Sequence, residues 1–308
     1  MSDRVLAAID SSQFSEGVCD YAVWAAKALN APLSFIHTVD NHAQVTEPDL
    51  TGNLGLGTRE HLLEKLSGIE EQHAKVSRER GRLLLDAAKE RAVSAGIAEP
   101  KCLQRNGALV ETLVENEKEV RLLVVGKCGE TAHQASWHLG SNLERVVREM
   151  HRPILMVPKQ FTQPHNVMMA FDGSNTARKG VEMLAKSPLF EGATCHVVIV
   201  GAETAENRSQ LAWALETLRG ADHSAEGSIR AGEVEETLRT YKQENGIDML
   251  VMGAYGHSRI RHLLVGSTTT TMLRKAQLPV LILRRSTWEM PKVEQGVQYL
   301  SSTRLLAM

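Results

Sequence analysis

The chain begins the same way twice. Val5–Asp10 (VLAAID) is echoed by Val167–Asp172 (VMMAFD), each an apolar run closed by an aspartate. Further on, Arg105-Asn-Gly107 with Glu111-Thr112-Leu113 recurs at the same internal spacing as Arg230-Ala-Gly232 with Glu236-Thr237-Leu238. Each of these precedes another apolar run, Leu122–Val125 and Met249–Met252. Last, Gly126-x-x-Gly129, Gly140-Ser141 and Pro153–Val157 are matched by Gly253-x-x-Gly256, Gly266-Ser267 and Pro279–Leu283. A repeat this long means two copies of one domain, head to tail. The 308 residues suit that division, since each half is large enough to bury its own core.

Within each copy, short β-branched apolar runs alternate with longer stretches of helical period. Strands are expected near 4–9, 32–38, 100–104, 121–125 and 153–157, with helices near 14–29, 59–95, 108–118 and 141–150. The second copy repeats the strands near 167–171, 194–200, 225–229, 248–252 and 279–283. Strands apolar almost throughout and separated by helices imply a parallel sheet covered on both faces. The expected fold is therefore α/β: two tandem doubly wound domains, each a five-stranded parallel sheet flanked by helices. The first domain is placed at 1–158, the second at 166–285 and a C-terminal tail at 286–308. Pro158–Asn166, polar and carrying two prolines, is read as the linker. The copies differ chiefly after their second strands: Val39 to Arg105 is 66 positions, Val200 to Arg230 only 30. The excess is expected as an inserted loop near 40–70, including the glycine-rich 51–57, and the charged run Glu70–Arg82 as a solvated helix face.

Composition excludes several classes. With 35 Lys+Arg against 37 Asp+Glu, the net charge of −2 offers no attraction to nucleic acid or an anionic membrane. No apolar run approaches the ~20 residues that span a bilayer. Cys19, Cys102, Cys128 and Cys195 form no CxxC pair and suggest neither a disulfide framework nor a zinc site. A cytoplasmic protein without a bound metal is expected.

The segment that carries chemistry starts at Gly253 and runs through Gly256 and Arg259 to Gly266, Ser267 and Thr268, after a fourth strand and into a fourth helix. In a doubly wound sheet the ligand crevice lies at the carboxyl ends of the strands, where the strand order reverses. Glycines there let the backbone approach a ligand without an obstructing Cβ. Ser267 and Thr268 open a helix whose free N–H groups and positive dipole end suit an anion, and Arg259 or Arg261 can supply positive charge. A triphosphate fits. No Gly-Lys-Ser/Thr follows the glycines, so this is not a Walker A loop.

The spacing G-x2-G-x9-G-S/T resembles the nucleotide signature of ATP-binding universal stress proteins, and the two-copy layout is similar to that family's tandem members. The resemblance covers about 1–158 and 166–284. It implies ATP as ligand, with or without Mg2+, Asp172 against the adenosine, Val200 offering backbone contacts to adenine, and the Gly253–Ser267 loop holding the phosphates. It also implies that the fifth strands, Pro153–Val157 and Pro279–Leu283, pair within the chain as an intramolecular pseudo-dimer. The first copy departs from the pattern, with ten residues rather than nine between Gly129 and Gly140. Its corresponding set is Asp10, Val39, Gly126, Gly129, Gly140, Ser141 and Asn142.

Three functions follow as expectations. The first is a stress-response nucleotide sensor or regulator acting through unidentified protein partners, itself able to form a homodimer. The others are a slow Mg-dependent ATP hydrolase, for which no water-positioning residue can be named, and a dimerisation scaffold with degenerate loops. Cys128, His133 and His138 lack zinc-ligand spacing, and His257 and His262 are read as exposed loop residues.

Overall fold

The computed structural model describes residues 3–39, 56–129, 141–253 and 277–283. The first half holds β1 (Arg4–Ala8), α1 (Ser15–Ala28), β2 (Leu33–Val39), α2 (Leu56–Ser94), β3 (Lys101–Asn106), α3 (Leu109–Asn116), β4 (Val120–Gly126), α4 (Ser141–Glu149) and β5 (Ile154–Val157). The second holds β6 (Asn166–Ala170), α5 (Asn175–Lys186), β7 (Thr194–Val200), α6 (Ala205–Arg219), β8 (Ser224–Arg230), α7 (Val234–Glu244), β9 (Met249–Gly253) and β10 (Val280–Leu283).

The ten strands among the described residues form one sheet in the order β3-β2-β1-β4-β5-β10-β9-β6-β7-β8. Every neighbouring pair is parallel except β5–β10, which is antiparallel and joins the halves. The expected pseudo-dimer is present. Its seam matches Val280 with Met156, Leu281 with Leu155 and Ile282 with Ile154, all shielded from solvent.

The strands are apolar at consecutive positions because both faces are covered. Successive side chains point to opposite faces, so each strand feeds two cores. One core takes Val5, Ala7, Leu155, Val157, Met169, Leu281 and Leu283 against α1, α5 and the C-terminal part of α2. The other takes Leu6, Leu123, Ile154, Met156, Met168, Val280 and Ile282 against α3, α4 and α7. Both continue across the seam, so each half completes the other's interior. The outermost strands β3 and β8 are the polar ones, in keeping with their edge position.

One expectation is revised. The insertion expected as a loop near 40–70 is helical from Leu56, and Gly57 is the second residue of α2 rather than loop; 40–55 lie outside the described residues. Leu62, Leu66, Ile69, His73 and Val76 recur at alternating steps of four and three, which is helical period, and strong helix formers lie between them. The polar linker, in turn, is held by aromatic contacts. Phe161 packs edge-on to Tyr21, with ring centroids 4.7 Å apart, and the Tyr21 hydroxyl donates to the Thr162 carbonyl (3.1 Å). A Cβ at Gly17 would stand 2.2 Å from the Pro158 carbonyl oxygen, so glycine is what lets α1 pass under the linker.

Candidate functional site

In each half the first strand feeds two strands on one side and is flanked on the other by the fourth, so the reversal falls between β1 and β4 and again between β6 and β9. A doubly wound sheet opens its crevice at the carboxyl ends of such strands.

In the second half, Asp172, Val200 and Gly253 stand at the carboxyl ends of β6, β7 and β9, three neighbouring strands, and each is half-buried. Asp172 Oδ1 accepts the Ser174 N–H (3.0 Å), a local turn that fixes the carboxylate at the strand end. Gly173 between them has φ +72°, the left-handed region that favours glycine. The cap of α5 is Ser174, whose hydroxyl accepts from the Ala177 N–H, and not the aspartate. A Cβ on Gly253 would sit 3.1 Å from Thr176 Cγ2, so glycine keeps the mouth of the loop close to α5.

In the first half, Asp10, Val39 and Gly126 occupy the corresponding ends of β1, β2 and β4. Asp10 Oδ1 accepts from the Ser12 N–H (2.9 Å), and Ser15 donates to the Asp10 main-chain carbonyl. Gly129 folds back over this aspartate: a Cβ there would lie 3.3 Å from Asp10 Oδ2. The end of the first strand and Gly129 therefore lie side by side. Ser11 Oγ, beside Asp10, is shut off from solvent with no hydrogen-bond partner among the described residues. The Val39 carbonyl is engaged by the Gly107 N–H (3.0 Å). Ser141 and Asn142 open α4 as expected, with Asn142 exposed.

Gly140, Gly256, Arg259, Gly266, Ser267 and Thr268 lie outside the described residues, as do His133, His138, His257, His262 and the tail. Among the described residues, no cluster of three or more His, Cys, Asp or Glu could hold a metal ion, and no helix is long and apolar enough to cross a membrane.

Sequence reasoning missed the surroundings of Asp172. The Arg178 guanidinium lies 4.6 Å from the Trp213 ring centroid and its Nε donates to the Gly173 carbonyl (3.3 Å), while Trp213 stacks on Phe171. Gln210 of α6 closes over Gly173. None of these residues stands at a motif spacing; only the packing of α6 on α5 assembles them. Lys127, just past Gly126, was missed as well; burial draws its ammonium below the ordinary lysine pKa.

The universal stress protein family model matches residues 1–158 and 199–284, most of the chain and both halves. The chain belongs to the universal stress protein family. Universal stress protein Slr1230 of Synechocystis is 37% identical over 285 residues, covering 91% of this chain and 99% of that protein. YxiE of Bacillus subtilis, also a universal stress protein, is 33% identical over 159 residues, 51% of this chain and 99% of its own length. Among solved structures, a universal stress protein from Archaeoglobus fulgidus superposes with a TM-score of 0.66 at 16% identity, covering 93% of this chain and 97% of that one, a likeness of fold. The tandem universal stress protein layout thus rests on sequence and fold alike.

Proposed function

We propose that this universal stress protein is an adenine-nucleotide-binding regulator whose principal site is the crevice of the second half, with ATP as ligand, alone or with Mg2+. One observation carries the reading. The G-x2-G-x9-G-S spacing starts at Gly253, and Gly253 ends the strand beside the one that delivers Asp172. The half-buried carboxylate of Asp172 offers an acceptor for ribose hydroxyls or for a metal bound to phosphate. Val200 stands at the end of the next strand, where main-chain groups can meet a base edge. In the sequence Gly253 is followed by Arg259, Ser267 and Thr268, and the N–H and hydroxyl groups of the last two would receive the phosphates, with Arg259 adding charge. Mg2+, when bound with the nucleotide, would neutralise phosphate charge. The first half carries Asp10, Val39, Gly126, Gly129, Gly140, Ser141 and Asn142 in the same order and serves as a second, weaker site or as a support. We place the working boundaries at 1–158, 166–285 and a tail at 286–308, and the protein in the cytoplasm, where occupancy is passed to protein partners.

Gly266→Glu tests the assignment by setting a carboxylate and bulk where the phosphates would lie. The variant is expected to fold and to lose ATP binding. Unchanged ATP affinity in a folded Gly266→Glu protein would refute the site.

A further inference from the structure

The long helix α2 outruns the domain it belongs to. It has 39 residues, about 58 Å of helix, against a seven-residue strand beneath it of about 23 Å. Among the residues whose side chains are described, its C-terminal part docks: Gly81, Leu85, Ala88 and Ala92 are buried on the sheet, and Gly81 lets the helix pass within touching distance of His37 and Gln104. From Glu71 to Arg80 every side chain is exposed except the half-buried Ala74. Toward its N-terminus the helix continues to Leu56, so residues 56–80 span about 37 Å of helix. Helices of that length draw most of their stability from packing, not from propensity.

This part of α2 carries a seam. Leu62, Leu66, Ile69, His73, Val76, Arg80 and Leu83 repeat at alternating four- and three-residue steps, with Leu, Ile, Val and Leu at the second apolar position of four successive heptads. Val76 and Leu83, one heptad apart, are 67% and 56% exposed. At 100° per residue their stripe lies about 160° round the helix from the docked face, so the domain's own sheet does not cover it. The charge along the helix then selects the occupant. Residues 60–71 hold four acidic side chains and one basic (net −3), and residues 73–82 hold four basic and one acidic (net +3). A parallel pair of such helices would set like charge against like; an antiparallel pair sets each acidic half against a basic one.

We propose that α2 is a self-association arm: two copies of this chain pair their α2 helices antiparallel through the Leu62–Leu83 seam, centred near Glu71 and Gln72. The pairing is separate from the β5–β10 seam, which is satisfied within one chain.

Sedimentation velocity of the full chain over a hundredfold concentration range reads the association. The wild type is expected to dimerise, and Val76→Asp to weaken the dimer at least about tenfold while retaining its circular dichroism and melting temperature. Reversing both halves together (Glu64→Lys, Glu70→Lys, Glu71→Lys with Lys75→Glu, Arg78→Glu, Arg80→Glu) is expected to restore a homodimer that does not exchange subunits with the wild type. A monomeric wild type, a dimer indifferent to Val76→Asp, or free exchange between wild type and the reversed variant would each overturn the proposal, the last because it requires parallel helices.

Discussion

Leu155 and Leu281 stand opposite each other across the antiparallel β5–β10 pair, 0% and 2% exposed, at the point where two domains become one sheet. Both belong to the core that also takes in Val5 of the first half and Met169 of the second. Neither half can bury its fifth strand alone. The intact chain is therefore expected to unfold in one cooperative transition. Leu155→Ala and Leu281→Ala should each cost about 2–5 kcal/mol, and the double variant less than the sum, because both empty the same space. Urea denaturation of the four proteins checks this.

Gly17 supports the same unity from outside the sheet. Its missing Cβ leaves room for the Pro158 and Lys159 carbonyls, so the linker crosses α1 in contact. Gly17→Ala should displace the linker, lower stability by about 1–3 kcal/mol and expose the segment 158–166 to limited proteolysis. Unaltered cleavage there would contradict the linker's close packing.

Stability should depend on pH through His196. Its ring is buried, with Nδ1 3.1 Å from the Tyr241 hydroxyl. Burial lowers its pKa from the ordinary 6.5, and Glu226 and Asp248 offset this only in part. The unfolded chain takes up a proton near 6.5, whereas the folded chain resists until lower pH. Below 6.5 the unfolded state thus binds more protons and stability falls as the pH drops. His196→Gln should flatten that part of the melting-temperature profile measured between about pH 7 and pH 5.

Asp172 is expected to matter to binding more than to folding. Its carboxylate holds one local turn, worth about 0.5–1.5 kcal/mol. Asp172→Ala should weaken ATP about tenfold or more while the melting temperature of the nucleotide-free protein moves by only a few degrees. Nucleotide titrations by intrinsic fluorescence would measure the first effect and thermal melts the second.

Much of this was legible beforehand because the repeat recurs at the positions that matter. The VLAAID and VMMAFD runs are β1 and β6 with their closing aspartates, and the repeated Arg-x-Gly marks turns where Gly107 and Gly232 both take positive φ (+120° and +137°). Apolar runs such as LLVV in β4 announced burial on two faces. Contacts between residues distant in sequence were not legible. Nothing local tells that Thr162 meets Tyr21, that Trp213 shelters Phe171 near Asp172, or that Gly129 returns to Asp10. The start of α2 was obscured because the glycine-rich 51–57 reads as loop although helix begins within it. Those features depend on which helix lies over which strand, which local pattern does not encode.

Titration calorimetry of the nucleotide-stripped protein with Mg·ATP tests the central claim most directly, since it returns affinity and stoichiometry together. Saturable binding with at least one site per chain, abolished by Gly266→Glu, is the expected result; a second site would assign nucleotide to the Asp10 crevice as well. No binding up to millimolar ATP, or binding untouched by Gly266→Glu, would contradict the account.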